Sequence, residues 1–136
     1  VAPNAFKAIE KGKVAAAEAD YKAIKAAALN YYTDTGKWPE NGANDTGFVT
    51  APSPTPSGWN GPYLERWKSN NPWGGTYTYK KDSDTTYWSG TTEKRYLELT
   101  NVPLTAYTVI SNDLGSDVVK QNLSTTTTIA ILISKE

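Results

Sequence analysis

One segment constrains everything else this chain can fold into: PNAFKAIEKGKVAAAEADYKAIKAAALNYY, residues 3–32. Val14, Ala17, Tyr21, Ile24, Ala28 and Tyr31 recur at alternating steps of three and four, which places them on one helical stripe. Ala, Lys and Glu fill most other positions, and all three favour helix. Glu18 stands four residues before Lys22, the orientation that suits a surface ion pair. Pro3 fits a first helical turn or a kink, and Gly12 weakens the run by about 1 kcal/mol relative to Ala. Thr33, Asp34, Thr35 and Gly36 then supply stop chemistry. A helix of ~30 residues is about 45 Å long, whereas a compact chain of 136 residues has a radius of gyration of about 14 Å. Part of the helix is therefore expected to project. Its early half offers Phe6, Ile9 and small alanines, while Tyr21, Ile24, Leu29, Tyr31 and Tyr32 gather later. The later half should pack on a folded head, and the early half should need another partner.

Composition excludes several function classes. Basic and acidic residues balance at 14 each, and the helical residues 1–32 hold five lysines against three acids, leaving nine against eleven. No concentrated basic face exists, so nucleic acid is not expected as a main partner. Cysteine and histidine are both absent, which removes disulfides, thiol chemistry, Ser-His and Cys-His catalysis and imidazole zinc sites. No run approaches the ~18 apolar residues of a membrane helix. The mean hydropathy of −0.56 reads as soluble. The chain begins at Val1 and contains no methionine, so a segment removed from the front is expected, with any targeting or membrane function it carried.

Beyond the helix, residues 36–71 are rich in Pro, Gly, Asn and Ser, with APSPTPSG at their centre. Trp38, Phe48, Val49, Trp59, Tyr63, Leu64 and Trp67 are too many large apolar groups for a solvated linker. An ordered loop anchored by aromatics is expected, with a helical turn around residues 63–67. In NPWGGTYTYKK, two glycines turn the chain and Tyr77 and Tyr79 alternate with threonines, a strand pattern. TYWS, residues 86–89, reads as a second short strand and RYLELT as a third, together a meander. Leu104, Tyr107, Ile110 and Leu114, with Pro103 before and Gly115 after, fit a short helix; a strand through AYTVI is the rival. TTTTIAILIS supplies a last buried strand.

The candidate chemistry is sparse. Five tryptophans could anchor loops or form a sugar-stacking platform, and the prolines beside Trp38 and Trp73 favour anchoring. Asp82, Asp84, Glu93 and Glu98 could form a glycosidase-like carboxyl pair, but they fall in turns and on alternating strand faces, where solvated acids are usual. Asp82 and Asp84, with Asp113 and Asp117 further on, offer oxygens of the kind calcium takes, yet fall far short of an EF-hand loop. No catalytic, cofactor or metal site is assigned. Asn44-Asp45-Thr46 and Asn122-Leu123-Ser124 match the glycosylation acceptor pattern, which is frequent by chance.

Taken in order, the Ala/Lys/Glu helix, YYTDTGKWP, GPYL, NPWGGTYTY and a small antiparallel sheet resemble the type IV pilin and type II secretion major pseudopilin family, from about residue 3 to residue 79. The resemblance implies an α+β fold: a long N-terminal α-helix packed on a small antiparallel β-sheet, with a long aromatic-rich loop between. One pilin-like domain would span residues 1–136, with helix 1–33, loop 34–74, and sheet and C-terminal region 75–136. It implies a preceding apolar helical half, methylated after leader removal, that sits in the inner membrane before assembly. The implied function is that of a non-enzymatic filament subunit at the cell surface, a homopolymer built by pilus or secretion machinery, without cofactor. Phe6, Lys7, Ile9, Glu10, Lys11, Lys13 and Val14 would form the assembly interface. Tyr21, Ile24, Tyr31, Tyr32, Trp38, Trp73, Tyr77 and Tyr79 would anchor helix to head, with Tyr31, Tyr32 and Trp38 packing against Trp73 and the Tyr77/Tyr79 strand. Many pilins carry a C-terminal disulfide, and this chain departs from them in having no cysteine. The alternative is a carbohydrate-binding module using exposed Trp and Tyr rings.

Overall fold

The computed structural model describes the backbone of residues 3–135 and the side chains of residues 7–135. Helix α1 (Pro3–Thr35) leads into a long loop, followed by β1 (Tyr77–Asp82), β2 (Lys94–Leu99), α2 (Leu104–Leu114), β3 (Val119–Gln121) and β4 (Ile129–Lys135). At 1.5 Å per residue α1 extends about 50 Å. No helix among the described residues is long and apolar enough to cross a membrane. The helix ends where Gly36 adopts φ +72° and donates its N–H to the Tyr32 carbonyl at 2.7 Å. Glycine meets that left-handed geometry without a Cβ penalty, so the chain turns sharply out of the helix.

All six residues of the expected stripe, Val14, Ala17, Tyr21, Ile24, Ala28 and Tyr31, are buried, joined by Ala27. Among described side chains, none before Val14 is fully buried. Full burial of the helix begins there; before it the head only partly covers Glu10 and Lys13, and residues 7–9, 11 and 12 are exposed.

The strands form one antiparallel sheet in the order β1-β2-β4-β3. Alternation along the strands divides its side chains between two faces. Tyr77 and Tyr79 pair in register with Leu99 and Leu97, and with Ile129, Ile131 and Ile133 they form the face that packs with α1. On the reverse face, Tyr96, Ala130 and Leu132 meet Trp88 and Tyr87. A bulge between Arg95 and Tyr96 shifts the pairing of β2 with β4. In α2 the buried side chains are Ala106 and Ile110, while Leu104 is exposed, so the inward stripe is rotated from the spacing of Leu104, Tyr107 and Leu114.

Two expectations fail. Residues 86–89 form no strand; Trp88 is instead drawn onto the back of the sheet, its Nε1 donating to the Asp117 carbonyl at 2.8 Å. Residues 63–67 form no helical turn, because the N–H groups of Tyr63 and Leu64 both go to the Phe48 carbonyl, at 2.6 and 3.0 Å. Strand β3 was not foreseen: its three residues hold one buried apolar side chain, Val119, and give no alternation to read.

Candidate functional site

The junction of α1 with the loop is a chain of stacked and hydrogen-bonded rings. Tyr31 is buried, with its ring centroid 5.8 Å from that of Tyr63. Tyr32, 44% exposed, stacks on Trp38 at 4.5 Å with an interplanar angle of 20°. The Arg95 guanidinium lies 4.5 Å from the Trp38 ring centroid. Two groups that close cannot share one ring face, so Trp38 is sandwiched between Tyr32 and a cation. Arg95 is itself fixed by the Glu93 carboxylate and the Ser134 hydroxyl, both at 2.9 Å. Loop, β2 and β4 are thereby tied to the last turns of the helix. Thr35 Oγ1 donates to the Tyr31 carbonyl at 2.8 Å, and Tyr63 donates its hydroxyl to Asp34 at 2.8 Å. Gly58, at φ +91°, brings the loop so near the helix end that a Cβ there would stand 2.2 Å from the Asp34 carbonyl oxygen.

Deeper in the seam, Phe48 is fully buried between Trp67, stacked at 5.3 Å, and the edge of Tyr79 at 5.3 Å. Asp45 folds this part of the loop by accepting four backbone N–H bonds, from Gly47, Phe48, Val49 and Thr50. Burial alone would raise its pKa, and the four donors outweigh burial and hold it below the usual carboxylate value. Asn71 does similar work in NPWGG: its amide N–H groups reach the Thr100 and Thr76 carbonyls, and its oxygen accepts from Trp73 and Gly75. Tyr21 donates its hydroxyl to the Leu132 carbonyl at 2.5 Å, and Tyr77 donates to Asp20 at 2.7 Å. Burial, reinforced by Asp20, pushes the Tyr77 hydroxyl well above its ordinary pKa.

These contacts correct the expected seam. Tyr31, Tyr32 and Trp38 do not meet Trp73, whose Nε1 donates to Glu10 on the early helix at 3.3 Å. Trp73 thus pins α1 more than five turns before the tyrosines, because Asn71 turns NPWGG back along the helix. Glu10 is partly spent on that bond and on Lys13 at 3.7 Å. Val14, expected at an assembly interface, is 6% exposed and belongs to the core. Lys7, Ile9 and Lys11 are exposed, Ile9 by 57%, and the side chain of Phe6 lies outside the described residues.

The opposite face of α1 carries the pattern that the stripe analysis left unread. Ala8, Gly12, Ala15, Ala19, Ala23, Ala26 and Asn30 are all exposed and recur at three and four, so they form a second line of small residues along the helix. Small side chains let another helix approach closely, toward the short end of the usual 8–10 Å interaxial range.

The remaining candidates are occupied by structure. Besides the Trp38 sandwich, Trp59 meets Tyr63 edge-on while Gly61 packs against it, Trp67 stacks on Phe48, and Trp88 is buried beside Tyr96. Nothing here forms a row of open coplanar rings. Among the carboxylates, Asp82 accepts from Tyr96, Glu98 from Tyr87, and Asp84 caps its own turn by accepting from Thr86. Among the described residues, no three acids cluster in a way that could hold a metal ion. An open groove of about 530 Å³ lies between α1 and the 64–68 segment, where Asp20 already binds Lys68 at 3.0 Å. Asp45, Asn71 and Arg95 carry the seam and were not foreseen. An Asp or Asn before a Gly-rich turn is the signal that could have identified the first two.

Comparison with known proteins agrees with this geometry. The family model described as PilW, C-terminal, matches residues 8–98. Among solved structures, the chain is similar to the major type IV pilin PilA1 from Clostridium difficile, with 24% identity and a TM-score of 0.60, over 92% of this chain and 96% of that one. No curated protein sequence matches.

Proposed function

The chain belongs to the PilW C-terminal family and has the pilin fold, and from that premise we propose that it is a filament subunit packing against its own copies through the outward face of α1. A structural role related to type IV pili follows from family and fold; polymerisation is the added step. The observation that carries it is the division of the helix. Val14, Tyr21, Ile24 and Tyr31 face the head, Ile9, Leu29 and Tyr32 stay exposed, and a line of small residues from Ala8 to Asn30 is left uncovered. Ile9, Lys7 and Lys11, exposed on the early helix, extend this surface toward the helix start. Each contact is weak, and a helical array multiplies them because every subunit touches several neighbours. Charged groups at Lys7, Lys11 and Lys13 set register more than affinity. Assembly machinery and a cell-surface location belong to the same proposal.

The chain contains no cysteine, so introduced pairs give an unambiguous readout. Ala15→Cys and Ala23→Cys, made in the encoded protein in its source cells, are expected to yield disulfide-linked ladders in sheared surface material. Free labelling of both thiols by a maleimide in such material, without cross-links, would remove the helix face from the assembly.

A further inference from the structure

Glu18 lies on α1 next to α2, and its Oε2 atom is buried with no hydrogen-bond donor in reach. What faces it is a second carboxyl group, that of Asp113 near the end of α2. Ionised carboxylates are acceptors only, so these two bond each other only when one retains a proton. Burial first, then the hydrogen bond and negative charge of Asp113, push Glu18 up to about 7, while Lys22 on the same helix pulls the other way. No lysine or arginine forms a contact ion pair with either carboxylate among the described residues, so the expected Glu18–Lys22 bridge is not made.

We propose that Glu18 and Asp113 form a proton-sharing clasp between α1 and α2, which holds in acid and releases the C-terminal end of α2 as the pH approaches neutrality. The sign follows from linkage. In the closed state Glu18 binds its proton more tightly than the ordinary carboxyl value of 4.5. Closing is therefore fully supported below 4.5, loses support as pH rises toward about 7, and loses no more above that. Partial exposure of the pair to water reduces the effect without changing its direction. The clasp would make the attachment of α2 to the long helix depend on pH, and it stands whether or not the outward face of α1 packs against other copies.

Amide hydrogen exchange on the whole chain, corrected for intrinsic rates, tests this from pH 5 to pH 8.5. Opening of α2 is expected to increase about threefold or more between pH 5 and 7.5, then level off, while amides of β2 and β4 stay flat. Glu18→Gln removes the titrating group and should abolish the slope, while Asp113→Asn, whose amide donates at every pH, should reduce it, because Glu18 stays buried. In the unsubstituted protein, the carboxyl carbon of Glu18 should titrate near 7 by NMR. An ordinary carboxylate midpoint for Glu18 would overturn the clasp, as would one pH slope shared by the wild type and both variants. The direct titration decides the matter if either variant fails to fold.

Discussion

The inner and outer lines of α1 differ in size more than in hydrophobicity. The inner line, through Val14, Tyr21, Ile24 and Tyr31, is buried on the sheet and loop, with Ala17, Ala27 and Ala28 filling its gaps. The outer line runs through Ala8, Gly12, Ala15, Ala19, Ala23 and Ala26 and is exposed. Large groups on the inside fill volume between a cylinder and a twisted sheet, where every methylene removed leaves a void. Small groups on the outside gain little from burial one by one, and what they permit is close approach by a second backbone. One helix thus carries two surfaces, and its own head satisfies only one.

Substitutions that exchange the two characters break the comparison most severely on the inner line. Ile24→Ala should lower the unfolding free energy by about 2–5 kcal/mol, read by denaturant titration of the monomer. Overpacking is the next largest effect. Ala28 is fully buried, so Ala28→Leu should cost about 1–3 kcal/mol, with a displaced Tyr31–Tyr63 contact visible as altered near-ultraviolet dichroism. Val14→Ala sharpens the boundary where cover begins. Two methyl-sized groups are lost from a residue at the rim of the core, so about 1.5 kcal/mol is expected; no change would place the start of the core nearer Ala17. The smallest effect on the monomer is expected outside. Ala19→Leu with Ala23→Leu should leave its stability within about 0.5 kcal/mol, yet sharply reduce the filaments recovered from cells. If both survive unaltered, the outer line is only solvated surface.

Much of this arrangement was legible. The stripe from Val14 to Tyr31 follows from 3.6-residue periodicity, and every member is buried. The alternation of Tyr77 and Tyr79 fixed β1 and the face it presents. Illegible features depended on partners distant in the chain. The sequence reading puts Trp73 against the late tyrosines, but Asn71 directs it to Glu10. Trp88 looked like part of a strand, and its fate was decided by Tyr96 and the Asp117 carbonyl. In the strand pattern Arg95 reads as an ordinary charged residue; the ring of Trp38, the Glu93 carboxylate and the Ser134 hydroxyl make it a buried tie.

What the sequence determined by itself was a helix too long for one small head, its inward stripe, and a chemistry without histidine or cysteine. Those properties are local or additive, set by backbone geometry and by which side chains exist. Tertiary structure alone decided where cover on α1 begins, which rings enclose Trp38, and that Glu18 meets Asp113 instead of Lys22. Each of these needs groups many residues apart to arrive at one point. The periodicity of a single segment holds no information about what another segment brings to it.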